Sequence, residues 1–434
     1  MASLRDELNE RAQRIMRDND RGGYTIPTHG LYPYQWNWDS AFAALGFAEF
    51  DLPRAWRELE ILFSGQWFDG MVPHILFHRP DPGYFPGPDV WGCGGPVPSS
   101  GITQPPVALS FARRLYDKDP ALGEVPMRML FDPMRRWVQW FMTWRFHEGA
   151  ICITHPWESG RDNAADWDGA MAAIDPHDVG HYERRDLDHV HAAMRPTQAD
   201  YDRYIWLVKR GRAHGWNARD MSVGQPFFVA DPTMTFTLMR GLRDLIDMGS
   251  QLGLPTEALA ADLATVEAGA ETLWNPEIAA YDSRDALTGE FAGALSNASF
   301  LAWYGGIDRP ELRATLAQVM SALPHGVPSL AVQDKRFDPK RYWRGPVWGV
   351  LNFLVGSGLE TFDHPEGLDL RRRTGHLIAS HGFAEYFDPR DGSPAGGGSF
   401  TWTAAVWLAW TGRDPDDELR YVPPHPLERQ MVYR

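Results

Sequence analysis

Helical periodicity recurs along almost the whole chain, and the connections alternate between short turns and long aromatic loops. Residues 4–18 place Leu8, Ala12 and Ile15 on one face before Gly22-Gly23 stops them. Asp51 caps a clearer helix, with Pro53 in its first turn and Leu52, Ala55, Trp56, Leu59, Leu62 and Phe63 on one helical stripe. Further helices are expected over 41–50 (capped by Asp39 or Ser40), from Gln104 to Tyr116, and over 123–146. Others follow the Thr197-x-x-Asp200 capping box and run over 231–252, 256–273, from Asp308, and over 344–356, 363–380 and 399–410. Strand signals are rare and short. Trp274-Asn275-Pro276 with Tyr281-Asp282 is echoed by Glu385-Tyr386-Phe387-Asp388-Pro389 with Asp391-Gly392.

Helix pairs with recurring loop chemistry predict an all-α fold, an (α/α)6 barrel with its long loops gathered over one end. Residues 1–434 are expected to form a single catalytic domain, with cap-forming insertions at about 64–103 and 171–196. An irregular α-solenoid would show a steadier repeat.

The formal net charge of −15 and the lack of a basic stripe argue against nucleic acid. Tryptophan is in surplus, 19 against 14 tyrosines, which suits either a sugar-stacking pocket or a large helical core. Cys93 and Cys152 give neither a disulfide framework nor a paired metal spacing, as in a reducing compartment. Met1 to Asp20 lacks the apolar centre of a secretory signal, and no window approaches a membrane span. A cytoplasmic location without membrane attachment is expected; the oligomeric state, a homo-oligomer included, is left open.

The segment from Trp157 to Asp168 holds five charged side chains and two tryptophans, too polar for a core strand. His177, His181, His189 and His191 do not follow a metal-site spacing. Ser159-Gly160 lacks a nucleophile-elbow pattern, and Gly396-Gly397-Gly398 lacks the strand and lysine of a phosphate cradle. No metal and no cofactor are expected. Paired carboxylates remain: glycoside hydrolysis needs a protonated carboxyl at the leaving oxygen and an ionised one across the ring. Asp162, between Trp157 and Trp167, reads either as such an acid or as a helix N-cap. Glu385 alone reads as a loop carboxylate, and Asp388 as a turn residue.

Four motifs, in order, span nearly the whole chain: Tyr34-Gln35-Trp36-Asn37-Trp38-Asp39-Ser40-Ala41-Phe42, Trp157-Glu158-Ser159-Gly160-Arg161-Asp162-Asn163, Tyr342-Trp343-Arg344-Gly345-Pro346-Val347-Trp348, and Glu385-Tyr386-Phe387-Asp388-Pro389 followed by Phe400-Thr401-Trp402. Together they resemble glycoside hydrolase family 63, closest to its bacterial mannosylglycerate and glucosylglycerate hydrolases. The resemblance departs at Asn163-Ala164-Ala165. It implies an inverting α-glycosidase with Asp162 as general acid and Glu385 as general base, acting on a small anionic glycoside. By the same resemblance Tyr34, Trp38, Asp39 and Gln104 line the sugar pocket, and Tyr342, Trp343, Gly345 and Trp348 close over sugar and glycerate. Tyr84, Trp157 and Gly160 are expected in the same pocket. Arg195, before a helix start, suits the glycerate carboxylate, because an Arg fork matches a carboxylate; Tyr201 and Arg203 are further candidates. The rival readings are an α-glucosidase or α-mannosidase for neutral disaccharides and a non-catalytic sugar-binding protein.

Overall fold

A computed structural model describes residues 3–413. The chain forms helices α1 (Leu4–Asn19), α2 (Asn37–Phe47), α3 (Leu52–Ser64), α4 (Val107–Lys118), α5 (Pro120–Trp144), α6 (Gln198–Ala213), α7 (Pro232–Leu252), α8 (Glu257–Ala270), α9 (Ala302–Gly305), α10 (Pro310–Ala322), α11 (Gly349–Thr361), α12 (Pro365–His381) and α13 (Thr401–Ala409). Helices α2, α4, α7, α9, α11 and α13 pack side by side in that order, and α13 returns to α2. The inner ring therefore closes, which excludes the open solenoid. Helices α1, α3, α5, α8, α10 and α12 alternate with them in sequence as the outer layer of an (α/α)6 barrel, and α6 is additional.

The two layers differ as burial demands. Every residue of α2 and α13 is buried, whereas α3 buries only one stripe, including Ala55, Trp56, Leu59, Leu62 and Phe63. Where inner helices touch, side chains shrink. A Cβ on Gly46 of α2 would lie 2.8 Å from Ala405 of α13, and one on Gly358 of α11 would lie 2.3 Å from the Tyr304 backbone of α9.

Several boundaries differ from the sequence reading. Helix α2 begins at Asn37, so Asp39 and Ser40 lie in its first turn and do not cap it. Ser40 instead donates to buried Glu58 at 2.7 Å. Helix α11 begins at Gly349; Val347 is held extended by reciprocal backbone hydrogen bonds with Phe387 at 2.9 and 3.0 Å. Helix α9 is too short to show periodicity, and the 3-10 turn Asn297–Phe300 leads into it. A four-stranded antiparallel sheet also escaped the sequence reading; it orders Phe146–His147, Ala150–Ile153, Val229–Ala230 and Arg284–Asp285. The echoed segments are both hairpins: Trp274–Asn275 pairs with Ala280–Tyr281, and Tyr386–Phe387 with Pro394–Ala395. Residues 1–2 and 414–434 of the expected domain lie outside the described residues.

Candidate active site

A cavity opens at the end of the barrel where inner helices begin. Trp38 and Asp39 reach it from the first turn of α2, Gln104 from just before α4, and Phe400 and Trp402 from the start of α13. His74, Tyr84 and Phe85 enter from the 64–103 segment, and Arg185, Asp186 and Arg195 from the 171–196 segment.

The loop carrying Asp162 follows the strand Ala150–Ile153 and is locked from behind. Glu158, fully buried, accepts from Arg145 at 3.1 Å and from the Thr154 N–H at 2.7 Å. Arg161, also fully buried, donates to Asp166 at 2.9 Å, to Asp231 at 3.1 Å and to Ser296 at 3.2 Å. Asp231 is itself the N-cap of α7, so one buried cation ties the loop to the barrel. The Trp167 indole and the Tyr204 hydroxyl both donate to the Asp162 carbonyl at 2.9 Å. Trp167 thus fixes the backbone from outside the cavity, while Trp157 forms part of its wall. Asp162 is not a cap: the following 3-10 turn starts after Ala164 without any side-chain cap. Ala164 and Ala165, where the family resemblance departs, are buried, and the Ala165 carbonyl accepts from Arg336 at 3.2 Å. Gly160 turns the chain with φ +70°, and a Cβ there would meet the Trp38 ring at 2.5 Å.

Glu385 faces the same cavity and is 1% exposed, not the exposed loop carboxylate that local sequence suggests. It accepts from the Tyr32 hydroxyl at 2.9 Å through Oε1 and from the Gly397 N–H at 2.8 Å through Oε2. Arg195 stands 3.8 Å from Oε1, donates to Tyr32 at 2.9 Å and to Asp186 at 3.1 Å, and lies 4.3 Å over the Tyr342 ring. Tyr342 holds a φ of +49°, an uncommon value for a bulky residue and typical of a constrained site.

These surroundings split the carboxyls. Burial pushes Asp162 up to about 7, with Glu385 adding to the rise and Arg195 opposing it. Burial also raises Glu385, but Arg195, the Gly397 N–H and Tyr32 all favour its charged form. Asp39 is pushed well above the usual carboxylate range by burial and by Glu385. Burial disfavours the charge on Arg195, yet Tyr32, Tyr342, Glu385 and Asp186 outweigh it and keep the guanidinium charged.

The structure brings Asp162, Glu385, Trp38, Asp39, Tyr84, Gln104, Trp157, Gly160, Arg195, Tyr201 and Tyr342 to one cavity. It does not bring Tyr34, Trp343, Gly345 or Trp348 to the wall. Tyr34 packs edge-on behind Tyr84 at 5.3 Å, and its hydroxyl is taken up by the Asp81 backbone. Trp343 and Trp348 stack on each other at 3.8 Å beneath Tyr342, and the Gly345 N–H donates to Ser329. Arg203 bonds the Ile174 and Ala199 carbonyls and is not a wall residue. Sequence reasoning missed Tyr32, His74, Phe85, Arg185 and Asp186. Trp36, Phe400 and Trp402 sat inside the quoted motifs without being singled out as site residues. His177, His181, His189 and His191 are exposed, and among the described residues no group of three or more His, Cys, Asp or Glu could hold a metal. No described helix is long and apolar enough to cross a membrane.

Residues 32–403 match the family model of the mannosylglycerate hydrolase MGH1-like glycoside hydrolase domain. A mannosylglycerate hydrolase of Selaginella moellendorffii is 42% identical over 94% of this chain and 86% of its own length. A glucosylglycerate hydrolase of Mycolicibacterium hassiacum is 32% identical over 94% of this chain and 98% of its own. The crystal structure of the family 63 mannosylglycerate hydrolase of Thermus thermophilus, in complex with Tris and D-glycerate, is similar with a TM-score of 0.90 and 38% identity, covering 93% of this chain and 100% of that one. The chain thus belongs to the mannosylglycerate and glucosylglycerate hydrolase branch of glycoside hydrolase family 63 and is a glycoside hydrolase.

Proposed function

We propose that this protein hydrolyses glucosylglycerate, mannosylglycerate or both to hexose and glycerate with inversion at the anomeric carbon. Asp162 is the general acid and Glu385 the general base. The observation that carries this reading is the unequal treatment of two carboxyls in one cavity. Asp162, pushed up to about 7, holds a proton for the glycosidic oxygen. Glu385, surrounded by Arg195, Tyr32 and the Gly397 N–H, is kept ready to take one from water. The two cationic side chains in the wall, Arg185 and Arg195, favour an anionic aglycone over the rival neutral disaccharide. Trp38, Trp157, Tyr84 and Tyr342 offer aromatic rings for the sugar, and Asp39 a buried carboxyl for its hydroxyls. We also read the chain as one catalytic domain whose 64–103 and 171–196 segments form the cap, and as a cytoplasmic enzyme.

Proton NMR of freshly released hexose tests the stereochemistry: the β-anomer is expected first, and initial α-anomer rejects inversion. A panel of glucosylglycerate, mannosylglycerate and trehalose tests the substrate; preference for trehalose rejects the glycerate reading.

A further inference from the structure

Outer helix α5 carries an apolar stripe that the barrel does not use. Its core face buries Met127, Met134, Trp137, Val138 and Phe141. Leu122, Val125 and Met129, spaced by three and four residues, form a second line along the helix and are 39%, 66% and 65% exposed. Half-buried Pro126 and Pro133 fall on the same line. At its far end the turn 67–70 is held against the helix, where Gln66 donates to the Pro133 carbonyl and accepts from Arg136, both at 2.8 Å. That turn presents Phe68, which is fully exposed. Among the described residues no other helix exposes more than one large apolar side chain.

Charge flanks the stripe in a self-complementary order. Exposed Glu124 and Arg128 lie on one side of it and bond each other along the helix at 2.9 Å. A second α5 laid antiparallel, with a two-fold axis at Val125 and Pro126, sets Leu122 against Met129 and Glu124 against Arg128 in both directions. That is the isologous pattern a C2 contact requires. A parallel arrangement would instead set Glu124 against Glu124. From Glu124 to Arg136 the exposed charges of α5 are two acids and three arginines, so this face is slightly basic in a chain of net charge −15. Two copies meet less repulsion here than over the surface at large.

We propose that the protein pairs with a second copy of itself through α5, the two helices antiparallel across a two-fold axis near Val125 and Pro126, with the Phe68 turns flanking the contact. Inner helix α4 leaves the cavity end near Gln104 and finishes at Lys118, and α5 starts two residues later. The stripe therefore lies toward the opposite end of the barrel, and the pairing leaves the cavity open.

Sedimentation equilibrium of the full chain at micromolar concentration is expected to give twice the mass of one chain. Met129→Asp should halve that mass and keep a cooperative melt. Glu124→Arg and Arg128→Glu should each be monomeric alone and recover the paired mass when mixed. A purely intrahelical role for Glu124 and Arg128 does not allow that recovery, because mixing leaves like charges within each helix. Val125→Cys should give a disulfide-linked pair in air-saturated buffer, whereas wild type, with only Cys93 and Cys152, should not. Monomeric wild type, an assembly that survives Met129→Asp, mixed charge variants that stay apart, or no cross-link in Val125→Cys overturns the proposal.

Discussion

Asp162 and Glu385 differ less in chemistry than in company, and that difference makes testable demands. Replacing Asp162 by Asn or Glu385 by Gln should lower kcat by roughly 10²–10⁴-fold, measured on a natural glycerate glycoside; near-normal turnover in either variant removes that residue from the mechanism. The pH profile has a defined sign. In the proposed mechanism activity requires protonated Asp162, so kcat/KM should fall as pH rises through about 7, and the acidic limb should report ionisation of Glu385. The raised Asp162 value is also a stability term. Its folded-state pKa exceeds the unfolded value, so the favourable contribution is full at low pH and is lost as pH rises through about 7. Asp162→Asn should therefore raise Tm more at about pH 8 than at about pH 5, and an equal shift at both contradicts the buried-acid account. Both carboxyls could be singled out in the sequence once paired by motif, because charged residues among aromatics are locally unusual. Arg185 and Asp186 could not, since they stand in a run of ordinary charged residues and only the tertiary fold turns that run over the cavity. Tyr32 and Tyr34 were also inseparable from local pattern: contacts with Asp81, 47 residues away, decide which of them stands behind the wall.

Between the residue and the barrel lies a repeated element. Outer helices α5, α8 and α12 each run into a two-stranded hairpin before the chain continues to the next inner helix. The loop with Asp162 follows the first such hairpin, and Glu385 immediately precedes the last. Two of these three hairpins were visible as an internal echo; the strands of the first, beginning Phe146-His147, gave no local signal against a long helical background. In the last hairpin, Gly396 is required by space. Its φ is +70°, and a Cβ would lie 2.3 Å from Glu385 Oε2. Gly396→Ala should displace the carboxylate and lower kcat at least roughly tenfold in steady-state assays, with a cooperative melt retained. Wild-type kcat in that variant contradicts close packing against Glu385. The segment Arg344–Trp348 shows the opposite limit of local reading: its helix-like composition yields to pairing of Val347 with Phe387, a partner in the last hairpin.

At the scale of the molecule, alternation of helices with recurring loop chemistry carried the closed barrel into the sequence, whereas the residues that make the closing contact were not legible there, because it depends on α2 meeting α13 across most of the chain. That contact is made by Gly46 against Ala405, with no room for a side chain. Gly46→Ala should destabilise by about 1–3 kcal/mol in chemical denaturation, and a neutral result contradicts the close approach. The same seam orders events during synthesis. A ribosome-held chain can emerge with Asp162, its locked loop and most of the inner ring, yet it lacks Glu385 and the helix that shuts the barrel. Stalled chains ending near residue 380 should be protease-sensitive and inactive, with protection and turnover appearing together once residues to about 413 have emerged. On this reading hydrolysis begins only when the ring is complete, so closing the barrel and assembling the carboxyl pair are one event.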